Sequence, residues 1–182
     1  MIDTIKALLK RASDARSSGE PSDAERLYKE AAAQAALDQT VERAEALTGI
    51  AQARRDKADH TGAAIYYAEA ITLLRNANAV EPLAHALRHA AEVRSEMQEY
   101  GVASVQIDEA IRIYRAFEVP APLHLANALR VSALNDERQA RDAWTEALAL
   151  YSATSVQPGV EESKRHLTCL DSVVNRPQEQ LA

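Results

Sequence analysis

Small, large and small apolar residues recur at i, i+4 and i+7 four times along the chain: Ala24, Tyr28, Ala31; Ala63, Tyr67, Ala70; Ala103, Ile107, Ala110; and Ala140, Trp144, Ala147. That spacing is one face of a helix. The small residues let a neighbouring helix approach, and the bulky one fills the space that the approach leaves. Around each triplet a phrase repeats, as EAAAQAA from Glu30, EAITLLR from Glu69, EAIRIYR from Glu109 and EALALYS from Glu146, with Glu-Ala steps 39, 40 and 37 residues apart. A fixed period between 20 and 50 residues marks a repeat array.

A companion apolar pattern precedes each triplet: Leu8 and Ala12, Leu47 with Ile50 and Ala51, Leu87 with Ala90 and Ala91, Ala128 with Val131. Each repeat is therefore a hairpin of two amphipathic helices. Turn signals lie within the hairpins at 17–23, 57–62, 98–101 and 135–138, and Pro82, Pro120, Pro122 and Pro158 mark the breaks between them, where proline suits the first turn of a helix. The pattern predicts nine helices, in hairpins at about 5–38, 40–77, 80–117 and 121–152 with a capping helix at about 159–172. Residues 1–182 read as one domain. An up-and-down bundle is the alternative, but a bundle supplies no force that would hold the triplets in phase.

Composition narrows the partners. The 182 residues carry a net charge of -6 with a pI near 5.4, which argues against nucleic acid or an anionic membrane as the main partner. Charges at Asp3, Lys6, Lys10 and Arg11 interrupt any secretory signal, and no later run approaches membrane-spanning length. The lone Cys169 forms no internal disulfide, so the expected setting is cytoplasmic.

The densest polar constellation is HALRHAAE, residues 85–92. His85 and His89 stand one turn apart with Glu92 three residues on, a spacing that can bind a first-row metal ion, with His124 as the candidate further ligand. A solvated, partly packed polar face is the favoured reading, and no metal or other cofactor is expected. Cys169 and His166 share a helix face but lack the electropositive, open surround of a reactive thiolate, and Cys169 reads as a small residue under the cap. Asn127 lies in a first helix, where its amide, once buried, needs either an internal partner or a ligand. Trp144 reads as core.

The hairpins resemble the tetratricopeptide repeat (TPR) family in a long-period form similar to bacterial TPR proteins and kinesin-light-chain-type repeats. The family's small first-helix residue appears as Ala12, Ala51, Ala91 and Ala128, and its turn and second-helix pattern as Ala58-Asp59-His60 to Ala63 and Glu99-Tyr100-Gly101 to Ala103. The resemblance implies an all-α, right-handed superhelical solenoid of four hairpins plus a cap, whose first helices form a concave wall that receives a peptide or a partner's helix. Carried onto this sequence, it puts Lys6, Leu9, Ser13 and Arg16 on the wall, then Glu45, Thr48, Gln52 and Arg55, then His85, Arg88, His89 and Glu92, then Leu125 and Leu129, with Asn127 beside them. Leu9, Ser13, Gly49, His85 and His89 stand where the chaperone-binding branch has lysine, asparagine and arginine, which argues against a chaperone partner. The implied function is a non-catalytic adaptor for a protein or peptide, with an acidic group near Arg88 and the two histidines and an apolar side chain near Leu125 and Leu129. The alternatives are a metal-binding or enzymatic protein centred on His85, His89 and Glu92, and a structural subunit that self-associates as a homo-oligomer.

Overall fold

A computed structural model describes residues 2–35, 39–117, 121–135 and 140–174. Among them are nine helices and no strand: α1 (Ile2–Ser17), α2 (Pro21–Gln34), α3 (Thr40–Asp56), α4 (His60–Asn76), α5 (Val80–Glu96), α6 (Tyr100–Arg115), α7 (Pro122–Asn135), α8 (Ala140–Ala153) and α9 (Gln157–Val174). The chain divides into two compact units, residues 1–113 and 114–182. The first holds α1 to α5 and most of α6, and the second holds the end of α6 with α7, α8 and α9. No described helix is long and apolar enough to cross a membrane. Pro120, and residues 136–138 of the last expected turn, lie outside the described residues.

Every member of the four triplets is buried. In three of the triplets the large residue reaches the helix that follows. The Tyr28 ring of α2 lies against Gly49 of α3, where any Cβ would fall well inside van der Waals contact with it. The Tyr67 ring of α4 stacks on His89 of α5, and in the second unit Trp144 of α8 stacks on His166 of α9 with ring centroids 4.4 Å apart. Burying a side chain of this size contributes about 2 to 3 kcal/mol. The triplet is thus the joint between hairpins as well as the seam within one.

The recurrent phrase has a second role, carried by its ends. Arg75, which closes EAITLLR, donates to Glu109, which opens EAIRIYR, at 2.8 Å; in the second unit Arg115, which closes EAIRIYR, donates to Glu146, which opens the next phrase. Arginine of one repeat therefore meets glutamate of the next. Both pairs are substantially exposed, so each is worth under about 1 kcal/mol and acts mainly on register.

Five turns close alike. In the turn after α3, the Asp59 amide donates to the Arg54 carbonyl and the Ala58 amide to Arg55, with Ala58 at φ +60°. The same pair of bonds follows α1 at Gly19, α4 at Asn78, α5 at Gln98 and α8 at Ser155, all at positive φ. This is the Schellman closure, which favours glycine because a Cβ is strained there. Glycine occupies one of the five sites, so turn composition alone understates how regular these turns are. At α4 the cap is reinforced by Asp59, whose carboxylate accepts from the Gly62 amide at 2.9 Å.

Candidate binding wall on the first helices

Positions on α1, α3 and α5 correspond at steps of 39 to 40 residues, giving level rows of Lys6, Glu45 and His85; Leu9, Thr48 and Arg88; Ser13, Gln52 and Glu92; and Arg16, Arg55 and Ser95. These helices touch directly, α1 with α3 and α3 with α5. Ion pairs cross them in one direction. Arg16 of α1 donates to Asp56 of α3 at 3.2 Å, and Arg55 of α3 donates to Glu96 of α5 at 2.6 Å and to Glu92 at 2.5 Å. The donors Arg16 and Arg55, and the acceptors Asp56 and Glu96, are one repeat apart, so the same bridge is made twice.

Glu92 is the hub. It is 8% exposed, its Oε1 accepts from Arg88 Nη1 at 2.9 Å, and its Oε2 takes Arg55 and stands 3.0 Å from His89 Nδ1. Burial alone would push this carboxyl up, but the His89 hydrogen bond and the Arg88 and Arg55 charges outweigh it and hold the group at about 2. Burial pushes the His89 imidazole below its ordinary range, with the Arg88 and Arg55 charges acting the same way against the Glu92 hydrogen bond. The Tyr67 hydroxyl is fully buried without a hydrogen-bond partner among the described residues, and burial raises its pKa.

The structure redraws the expected wall at several places. Leu9, at 6% exposed, and Leu129, at 4%, are core residues rather than open wall: both lie on the apolar stripes of their helices. Arg88 is 8% exposed and committed to Glu92 and His89, so it is a buried structural cation instead of a free anchor. His89 is less open to an acidic group than expected, because burial first, and then the Arg88 and Arg55 charges, push its imidazole below the ordinary range and disfavour the charged ring. Lys6 is exposed, while Arg16, Gln52, Arg55 and His85 are half-buried. In the second unit Leu125 is half-buried, and Asn127 has an internal partner, accepting from the Tyr151 hydroxyl at 2.7 Å. Cys169 is exposed rather than tucked under the cap, because His166 takes the inner place against Trp144.

As a metal centre, the His85, His89 and Glu92 set would need His89 to surrender a nitrogen. Its Nε2 is 2.7 Å from Arg88 Nη2 and its Nδ1 faces Glu92. Among the described residues no group of three or more metal-ligating side chains converges. His124, the candidate further ligand, stacks on Tyr114 in the second unit with centroids 5.8 Å apart.

Sequence reasoning missed Glu25 of α2. Its side chain is buried beside a cavity of about 310 Å³ lined by Ser22, Glu25, Arg26, Lys29 and Lys57. Lys29 pairs with it at 2.6 Å, Arg54 at 3.2 Å, and Lys57 also bonds it. Against the push of burial, the two lysines hold its carboxyl at about 2. The i, i+4 spacing of Glu25 and Lys29 was legible; the approach of Arg54 and Lys57 from the end of α3 was not.

No protein-family model matches the chain, and no curated protein matches it in sequence. Solved structures do. BtubC (BKLC) from P. vanneervenii is 14% identical with a TM-score of 0.60 over 100% of this chain and 84% of that one. A putative kinesin light chain of nearly identical TPR-like repeats from Podosopora anserina is 12% identical with a TM-score of 0.58, over 95% of this chain and 97% of its own. A point variant of that protein gives 13% and 0.59 over the same shares. At such identities the likeness concerns the fold alone, and it agrees with the in-phase triplets and repeated bridges: the chain has the fold of a TPR-like helical repeat protein.

Proposed function

We propose that the protein is a non-catalytic module that binds a peptide or protein segment along its first helices, with residues 1–182 acting as one module in a cytoplasmic setting. The observation that carries this reading is the level placement of polar side chains on α1, α3 and α5, with Lys6 and Glu45 exposed and Gln52, Arg55 and His85 half-buried. Packed helices lie 8 to 10 Å apart and an extended chain advances about 3.3 Å per residue, so a segment laid across the wall meets the next first helix roughly every three residues. Its polarity should be mixed. An acidic group aimed at Arg88 or Arg55 competes with Glu92 for both guanidinium groups, whereas an amide group can use Gln52 without competing for either. His89, the nearest approach to a general base, has both ring nitrogens engaged, which supports a binding rather than a catalytic role.

Affinity capture from lysate with wild type and Gln52→Trp tests the reading, since the indole would block the wall at its middle helix, α3. We expect captured proteins to be lost from Gln52→Trp while its thermal melt stays as in wild type. Equal capture by both removes the wall from the site. A second reading, self-association, is favoured by Ile65 of α4 and Val105 of α6, equivalent positions that are both well exposed. Light scattering that reports a concentration-dependent mass, abolished by Ile65→Lys, would favour it.

A further inference from the structure

The cluster of Arg88, His89 and Glu92 fixes the protonation of its own imidazole. A guanidinium has donors and no acceptor, so at 2.7 Å Arg88 Nη2 must donate to His89 Nε2, which must then carry a lone pair. The single ring proton is left on Nδ1, which donates to Glu92 Oε2 at 3.0 Å. One tautomer of the neutral ring satisfies both contacts.

A second proton has only Nε2 to go to, and there it sets two N–H donors against each other at 2.7 Å. One of them must move. His89 is held by three contacts: the Tyr67 ring stacks on it at 6.4 Å, the His85 ring meets it edge-on at 4.5 Å, and its Nδ1–H bond to Glu92 strengthens when the ring is cationic. Arg88 has a long side chain and, besides His89, its bond to Glu92 Oε1. We infer that His89 is a proton-operated latch on Arg88: uptake of a proton at Nε2 breaks the Arg88–His89 contact and turns the guanidinium away from the ring.

The groups that face His89 set the direction of the response. Arg88 and Glu92 come from its own helix with His85, Tyr67 from α4, and Arg55 from α3, whose charge Glu92 shares with Glu96, so the Glu92 carboxylate is the one that bonds the ring while two guanidinium groups oppose its protonation. With burial added, the latch stays closed at neutral pH and opens below the ordinary histidine range of about 6.5. Once open, the wall carries one more positive charge and an arginine no longer bonded to the ring. That this would favour an acidic segment on mild acidification rests on the binding reading above; the latch does not.

The test is NMR on the uniformly labelled full chain, following the imidazole nitrogens and the Arg88 Nε–Hε resonance from about pH 7.5 to 5. We expect the Nδ1–H tautomer of His89 at the upper end, a His89 midpoint below about 6.5, and an Arg88 shift with the same midpoint. In His89→Gln, whose amide oxygen accepts from Arg88 and does not titrate, the Arg88 resonance should stay constant. The Nε2–H tautomer at about pH 7.5, a midpoint at or above about 6.5, or an Arg88 shift that follows pH alike in both proteins overturns the latch. Should His89→Gln fail to fold, the wild-type tautomer and the two midpoints decide alone. A latch that titrates as expected in a protein whose capture is indifferent to Gln52→Trp would separate the failure of the binding reading from that of the latch.

Discussion

Gly49→Ala should destabilise the protein because of Tyr28, and should stabilise it when Tyr28 is gone. A Cβ at position 49 would stand 2.5 Å from Tyr28 Cδ1 and closer still to Cε1 and Cζ, so the ring must retreat by about 1 Å to restore van der Waals contact. The ring is buried between α2 and the neighbouring first helices and has nowhere to go. Overpacking of this kind costs about 1 to 3 kcal/mol. Against it, alanine in a helix interior gains about 1 kcal/mol over glycine. The net loss in wild type is therefore up to about 2 kcal/mol. Tyr28→Ala alone should cost about 3 to 5 kcal/mol as a large-to-small core change, and in that background Gly49→Ala meets no ring and should return about 0.5 to 1 kcal/mol. Urea denaturation of the four proteins gives the cycle, with a coupling of about 2 kcal/mol. A Gly49→Ala effect of the same sign in both backgrounds would refute the ring-against-glycine joint.

Two further outcomes follow from the turns and the buried carboxylates. Ala58→Gly and Gln98→Gly, both at exposed positions with positive φ, should each stabilise by about 0.5 to 1 kcal/mol, and Gly19→Ala should lose about 1 kcal/mol, as read by denaturation. Glu25 and Glu92 have folded-state pKa values of about 2 against an ordinary 4.5, so the unfolded chain binds their protons first; their stabilisation is present above about pH 4.5 and lost as pH falls towards 2. Thermal melts across that range should fall more steeply for wild type than for Glu25→Gln, and equal slopes would mean that the Glu25 cluster is not linked to folding.

The Glu that opens each of the four phrases, and the Arg that closes two of them, illustrate how evidence in the sequence can outrun its interpretation. Their recurrence is visible in one dimension, and so is the small, large, small face, because both follow from the 3.6-residue turn of a single helix. The helical repeat and the burial of Tyr67 and Trp144 were legible for that reason. The Schellman turns were not, since four of five put a side chain where glycine is the usual sign. Leu9, Leu129 and Arg88 were misplaced because a helical wheel gives the direction of a side chain but not how far the next helix overlaps it.

Sequence thus determined the local order of this protein: that it is helical, that it repeats, and which second-helix residues are packed. Tertiary structure decided what the charged residues do. Arg55 and Glu92 lie 37 residues apart, Arg16 and Asp56 lie 40 apart, and nothing local tells a wall of paired charges from a wall of free ones. The physical reason is that helix formation is a matter of neighbours within one turn, whereas an ion pair forms only where packing brings two distant side chains together and strips enough water from them for the pairing to matter. His89 is the clearest case: the sequence supplied an imidazole beside an arginine and a carboxylate, and only their arrangement in space set one ring nitrogen against Arg88 and the other against Glu92.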